Sequence, residues 1–198
     1  MKALSLSISG HHREAAGKRE AWNGVQTGPP LSISLPVNVE ARHLISKLGL
    51  VPLPLEGGFY ASSWTSADRR PDGRAFGSAI LFLITEDDFS ALHRLGMHEI
   101  WHFSAGDPAE LIRLDPRTGS CRVCVLGPDV GGGHAPQAPV PPGEWQGARI
   151  IPGGARGWAL FGCTLAPAWD EREFELGQRE ALVREFPAHA GIIRSLTR

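Results

Sequence analysis

Cysteine is scarce in this sequence: three residues in 198, an odd number that builds no disulfide framework and suits a reducing compartment. An excess of one charge is missing too. The 20 basic residues nearly balance the 21 acidic ones, which leaves no electrostatic footprint for nucleic acid or an anionic membrane. No apolar run reaches the ~20 residues of a membrane-spanning helix, and the first residues lack the apolar core and cleavage site of a secretion signal. A lysine-bearing P-loop and a strand-linked dinucleotide fingerprint are also absent, which excludes both as primary modes of nucleotide binding. The expectation is a soluble cytoplasmic protein with a small-molecule ligand and no nucleic-acid or membrane partner.

Turn chemistry, by contrast, is abundant. With 24 glycines and 16 prolines, about a fifth of the chain is Gly or Pro, against a usual ~12%. From Pro52 to Pro167 these residues punctuate short apolar or alternating runs, and the pattern predicts strands over residues 58–63, 78–84, 91–95, 99–105, 109–114, 121–126, 137–140 and 155–163. Eight such runs predict an all-β barrel. Helical spacing flanks them: a short entry helix over 39–48 stopped by Gly49, a second helix over 174–186, and a final segment opened by Pro187. Residues 1–38 read as an appended arm, whose alternation suits an added edge strand and whose serine content suits a mobile tail. One domain over 39–198 follows.

The chemistry concentrates between Phe89 and Gly106. Strand alternation puts Ala91, His93 and Leu95 on one face, and after the turn at Gly96 it puts Glu99, Trp101 and Phe103 on one face of the returning strand. His93 and Glu99 can then face each other, as a general base with a carboxylate that orients it, or as two buried groups satisfying one another. His102 falls on the opposite face as a satisfied histidine, and His98 lies in the turn. Cys121 and Cys124 form a C-x-x-C, but in a strand residues three apart point to opposite faces, so the reading is structural. Cys163 reads as a small buried hydrophobe.

His93, Glu99 and Gly106 resemble the first cupin motif, and Pro141-Pro142-Gly143-Glu144-Trp145-Gln146 resembles the second. More closely, the chain is similar to the little-characterised cupin-5 branch. The carrying residues are Glu56-Gly57-Gly58-Phe59-Tyr60, Ser90 with His93-Arg94, Glu99 to Phe103 with Gly106-Asp107-Pro108, Leu126 to Asp129, Val140 to Gln146, and Gly162 to Pro167. The resemblance implies a double-stranded β-helix, the cupin jelly-roll barrel, related in fold to the 3,5-epimerases of rhamnose synthesis and, like them, a homodimer.

A typical cupin metal site takes three imidazoles and one carboxylate, whereas this chain has Leu95 and Gln146 at two of those places. A divalent metal is therefore not favoured as cofactor; if one binds, His93, Glu99 and Gln146 would hold it. The leading expectation is a metal-independent epimerase- or isomerase-like activity on a sugar or nucleotide-type ligand, with His93 and Glu99 catalytic. Tyr60, the only tyrosine, is the candidate acid. Tyr60, Trp101, Trp145 and Gln146 are the expected ligand-binding residues, Trp145 being equally a core residue. The alternatives are a non-catalytic ligand sensor and a metal-dependent cupin enzyme.

Overall fold

A capping side chain begins the first helix. In the computed structural model, which describes residues 38–198, Asn38 Oδ1 accepts the Ala41 N–H at 2.8 Å and α1 runs Val39–Leu48. It ends at Gly49, whose left-handed backbone returns an N–H to Ser46 O. The expected arm, apart from Asn38, lies outside the described residues.

Eleven strands follow among the described residues: β1 Val51–Pro52, β2 Phe59–Thr65, β3 Ser78–Thr85, β4 Ser90–Leu95, β5 His98–Gly106, β6 Ala109–Asp115, β7 Ser120–Leu126, β8 Gln137–Val140, β9 Trp145–Ile150, β10 Trp158–Ala166 and β11 Phe174–Leu176. They form two antiparallel sheets, ordered β1-β2-β3-β10-β5-β8 and β11-β4-β9-β6-β7, the double-stranded β-helix that the resemblance implies. Alternation sorts the apolar residues into three layers. Phe82, Trp101, Leu111, Leu126, Ala148 and Phe161 fill the space between the sheets. Leu83, Phe59 and Trp158 on the outside of the first sheet receive Ala41 and Ile45 of α1. Leu92, Ile112, Leu114 and Trp145 on the outside of the second sheet receive Leu182 and Phe186 of α2 (Arg179–Glu185) and Ile193 of α3 (Ala190–Ser195). Each fully buried large apolar side chain contributes about 1.5–3 kcal/mol, so both sheet exteriors are covered by short helices that are too brief to be stable alone.

Three expectations are corrected. β9 is not among the predicted strands, because it has no β-branched residue until Ile150 and carries Gly147, where any side chain would press on Ser90 O and Leu92 N of the neighbouring strand. The helix expected over 174–186 is two elements. Asp170 caps a 3-10 turn over Glu171–Glu173, and Phe174–Leu176 then pairs with β4 before α2 begins, because the open edge of β4 offers backbone partners that the helical spacing does not. The strand expected from residue 155 starts instead at Trp158, since Asp107 Oδ2 accepts the N–H groups of Arg156 and Gly157 and holds them in a turn. No helix among the described residues is long and apolar enough to cross a membrane.

Candidate functional site

A cavity of about 360 Å³ opens between the sheets. β2 contributes Tyr60, Ser62 and Thr65, β4 His93 and Leu95, β5 Glu99 and Trp101, and β10 Cys163 and Leu165; Glu56 and Trp169 enter from loops. The expected faces of β4 and β5 are therefore correct for His93, Leu95, Glu99 and Trp101. His93 and Gln146 sit opposite each other on neighbouring β4 and β9, while Glu99 belongs to the facing sheet.

His93 is 3% exposed and its ring is held on three sides. Nδ1 lies 2.8 Å from Ala91 O, and because a carbonyl only accepts, that nitrogen carries the hydrogen. In that tautomer the lone pair is on Nε2, which has no hydrogen-bond partner among the described residues, and the residue lines the cavity. Phe174 of β11 stacks on the imidazole at 5.6 Å, and Glu56 Oε1 stands 3.9 Å from Nδ1.

Glu99 is oriented by a chain of buried hydrogen bonds. Trp101 Nε1 donates to Gln146 Oε1 at 2.9 Å, and Gln146 Nε2 donates to Glu99 Oε2. The indole can only donate, so the amide can point only one way, and Oε2 of Glu99 is an acceptor. When Glu99 is protonated the hydrogen sits on Oε1. Burial pushes its pKa up from 4.5 to about 7, against the opposing pull of His93 and with a further push from Glu56; near neutrality the carboxyl is both donor and acceptor. Cys163 also lines the cavity, but burial, with Glu99 and Glu56 adding to it, raises its pKa well above the ordinary thiol value. A thiol held in that form is no nucleophile.

These residues do not fit the metal of a typical cupin. Leu95 has no donor atom, the Gln146 oxygen is taken by Trp101, and Gln146 turns its amide NH₂ toward Glu99. Of the motif positions one imidazole and one carboxylate remain, short of a transition-metal donor set; Glu56 brings a second carboxylate to the cavity wall, yet among the described residues no group of three His, Cys, Asp or Glu side chains is placed to hold an ion.

Two expected ligand residues are elsewhere. Trp145 does not line the cavity: alternation along β9 turns it to the helix-covered face, where it is 4% exposed among Leu182 and Phe186, with the Arg94 guanidinium 4.6 Å above its ring. Gln146 is 1% exposed and stands behind Glu99 and Trp101 rather than at a mouth. His102 is satisfied on the outer face, accepting from Gln137 Nε2 at Nδ1 (2.9 Å) and donating from Nε2 to Thr164 Oγ1 (3.2 Å). His98 is exposed at the start of β5. Cys121 and Cys124 pack on opposite faces of β7, against different cores.

Glu56 and Ser90 are site residues that strand periodicity did not reveal. Ser90 is fully buried and donates its hydroxyl to Glu56 Oε1 at 2.8 Å. The only local signal for Glu56 is the Gly57-Gly58 pair that follows it.

The family model described as Cupin superfamily (DUF985), Cupin_5, matches residues 42–177. A solved structure of a protein from Shewanella oneidensis is 34% identical, with a TM-score of 0.74 over 80% of this chain and 97% of that one. A hypothetical protein from Leishmania major is 32% identical, with a TM-score of 0.72 over 79% and 98% of the two chains. A cupin 2 conserved barrel domain protein from Rhodopseudomonas palustris, at 14% identity and a TM-score of 0.51 over 73% and 88%, shares the fold. No protein with a curated description matches this sequence.

Proposed function

The chain belongs to the Cupin_5 (DUF985) branch of the cupin superfamily, and from that premise we propose that its barrel binds a small molecule and moves a proton on it, as an epimerase or isomerase does. One observation carries the reading: His93, whose Nε2 has no hydrogen-bond partner among the described residues, and Glu99, whose carboxyl takes up and releases its proton near pH 7, line the same apolar cavity. His93 Nε2 takes a proton from a carbon next to a carbonyl, and Glu99 Oε1 supplies one to the opposite face or to the carbonyl oxygen. Glu56, beside the Nδ1–H edge, stabilises the imidazolium that forms. A positioned acid–base group of this kind contributes typically 10²–10⁴-fold to a rate.

Trp101, Trp169 and Tyr60 line the cavity with aromatic rings for the body of the ligand, which suits a ligand the size of one sugar ring. Phosphate groups of a nucleotide find no lysine or arginine among the lining residues. Two-fold pairing is part of the proposal, and light scattering that finds single chains at micromolar concentration rejects it.

The test starts from a ligand that raises the melting temperature, found by screening sugars, hydroxycarbonyl compounds and nucleotides. Incubated with it in D₂O, the wild type should exchange a carbon-bound hydrogen for deuterium, read by proton NMR. His93→Asn should slow the exchange at least about 100-fold while affinity stays within about tenfold. Binding with no exchange by the wild type leaves a ligand sensor instead of an enzyme.

A further inference from the structure

Glu56 reaches the cavity from an unusual loop. Leu55 adopts φ 68°, a left-handed conformation that costs a side-chain-bearing residue about 1–2 kcal/mol. Gly57 adopts φ 100°, and any side chain there would collide with Phe89 O and Arg198. Contacts distant in sequence hold the loop in this shape: Ala91 N–H donates to Glu56 O at 2.8 Å, Gly58 N–H donates to Asp88 Oδ2 at 2.8 Å, and Arg198 pairs with Asp88 at 2.6 Å. Backbone strain upheld by the surrounding structure is characteristic of ligand clamps.

The carboxylate so placed has no cation of its own. Among the described residues it lies 3.9 Å from the His93 ring, its one side-chain hydrogen bond comes from neutral Ser90, the Arg198 guanidinium reaches only the backbone oxygen of Glu56 (3.4 Å) and pairs with Asp88, and the cavity it shares with Glu99 is lined by no lysine or arginine. Placing carboxylates in an apolar cavity without a counter-charge is expensive, and a ligand that brings the counter-charge relieves that cost. Tyr60, Trp101 and Trp169 add ring faces, which attract cations.

The geometry points to Glu56 as the specificity-determining anchor of the cavity, which selects a molecule with a protonated amine on a compact apolar body and rejects phosphates and carboxylates. This rests on the reading of the cavity as a binding site and narrows the class of its ligand. The volume, near the lower end of the ~300–1,000 Å³ usual for small-molecule sites, suits a body of one ring.

Three probes that share a phenylethyl body decide the matter by calorimetry at pH 7: 2-phenylethylamine, 2-phenylethanol and 3-phenylpropanoate. The wild type should bind the amine at least tenfold more tightly than the alcohol and show no heat with the carboxylate. Glu56→Gln should remove the advantage of the amine and leave the alcohol unchanged. An amine that binds no better than the alcohol, or not at all, overturns the inference, as does a carboxylate that binds equally well or an amine preference that survives in a folded Glu56→Gln. The wild-type series alone can refute it if the variant does not fold. Deuterium exchange reports separately on the proton-transfer reading: exchange on a neutral ligand with no amine preference overturns only the anchor, and amine preference without exchange on any bound ligand overturns only the catalysis.

Discussion

Replacing Glu99 by Gln tests the electrostatics of the site without needing a ligand. The carboxyl titrates near 4.5 in the unfolded chain and near 7 in the folded one, burial being the main cause. Between those values the folded state holds a proton that the unfolded state has lost, so the contribution of this group is fully present below about pH 4.5 and is lost as pH rises to about 7. At about 1.36 kcal/mol per pH unit the total loss is about 3 kcal/mol, most of which falls between pH 5 and pH 8. Glu99→Gln keeps the shape and can still accept from Gln146, but it does not titrate. Urea unfolding of both proteins at pH 5, 6, 7 and 8 gives the difference in stability at each pH, and subtraction cancels every other titrating group that the two share. The variant should gain on the wild type by about 2–3 kcal/mol from pH 5 to pH 8. A difference that stays flat to within about 0.5 kcal/mol, roughly the error of such a comparison, would refute the reading of Glu99 as a buried group with a raised pKa.

Trp145→Ala should destabilise by about 3–5 kcal/mol in urea unfolding and leave the affinity of any cavity ligand unchanged, since the indole lies in the core under α2 and α3; a large loss of affinity in the folded variant would return it to the site. Dialysis against a chelator should leave the melting temperature unchanged to within about 1 °C, and added Mn²⁺, Ni²⁺ or Zn²⁺ should not raise it in a way that Glu99→Gln abolishes, because the donor set at His93 and Glu99 is too small for tight binding.

The sequence made the site strands legible because their chemistry is periodic. His93 and Leu95, then Glu99 and Trp101, occupy alternate positions on either side of a turn, and alternation alone sent all four to the cavity. The same rule could not say which face of β9 belonged to the barrel interior and which to a helix-covered exterior, since both are apolar. Trp145 thus reads equally as ligand contact and as core, and the structure places it in the core under the helices while its neighbour Gln146 bonds to Glu99. Glu56 stands out in the sequence only as part of a family pattern. A loop carboxylate has no period, and its position depends on Ala91, Asp88 and Arg198, residues 32 to 142 positions away. The spacing within residues 174–186 predicts helix through β11 because it does not register the unpaired edge of β4.

The paired thiols of β7 offer a use unconnected with the cavity. Cys121 packs toward the core beneath α2 and α3, and Cys124, three positions along the strand, packs toward the core between the sheets. Both are half-buried and neither is bonded to another cysteine. A thiol reagent added to the native protein can reach each sulfur more fully only when its own layer opens. Two neighbours on one strand thereby become separate clocks, one for the lifting of the C-terminal helices and one for the parting of the two sheets.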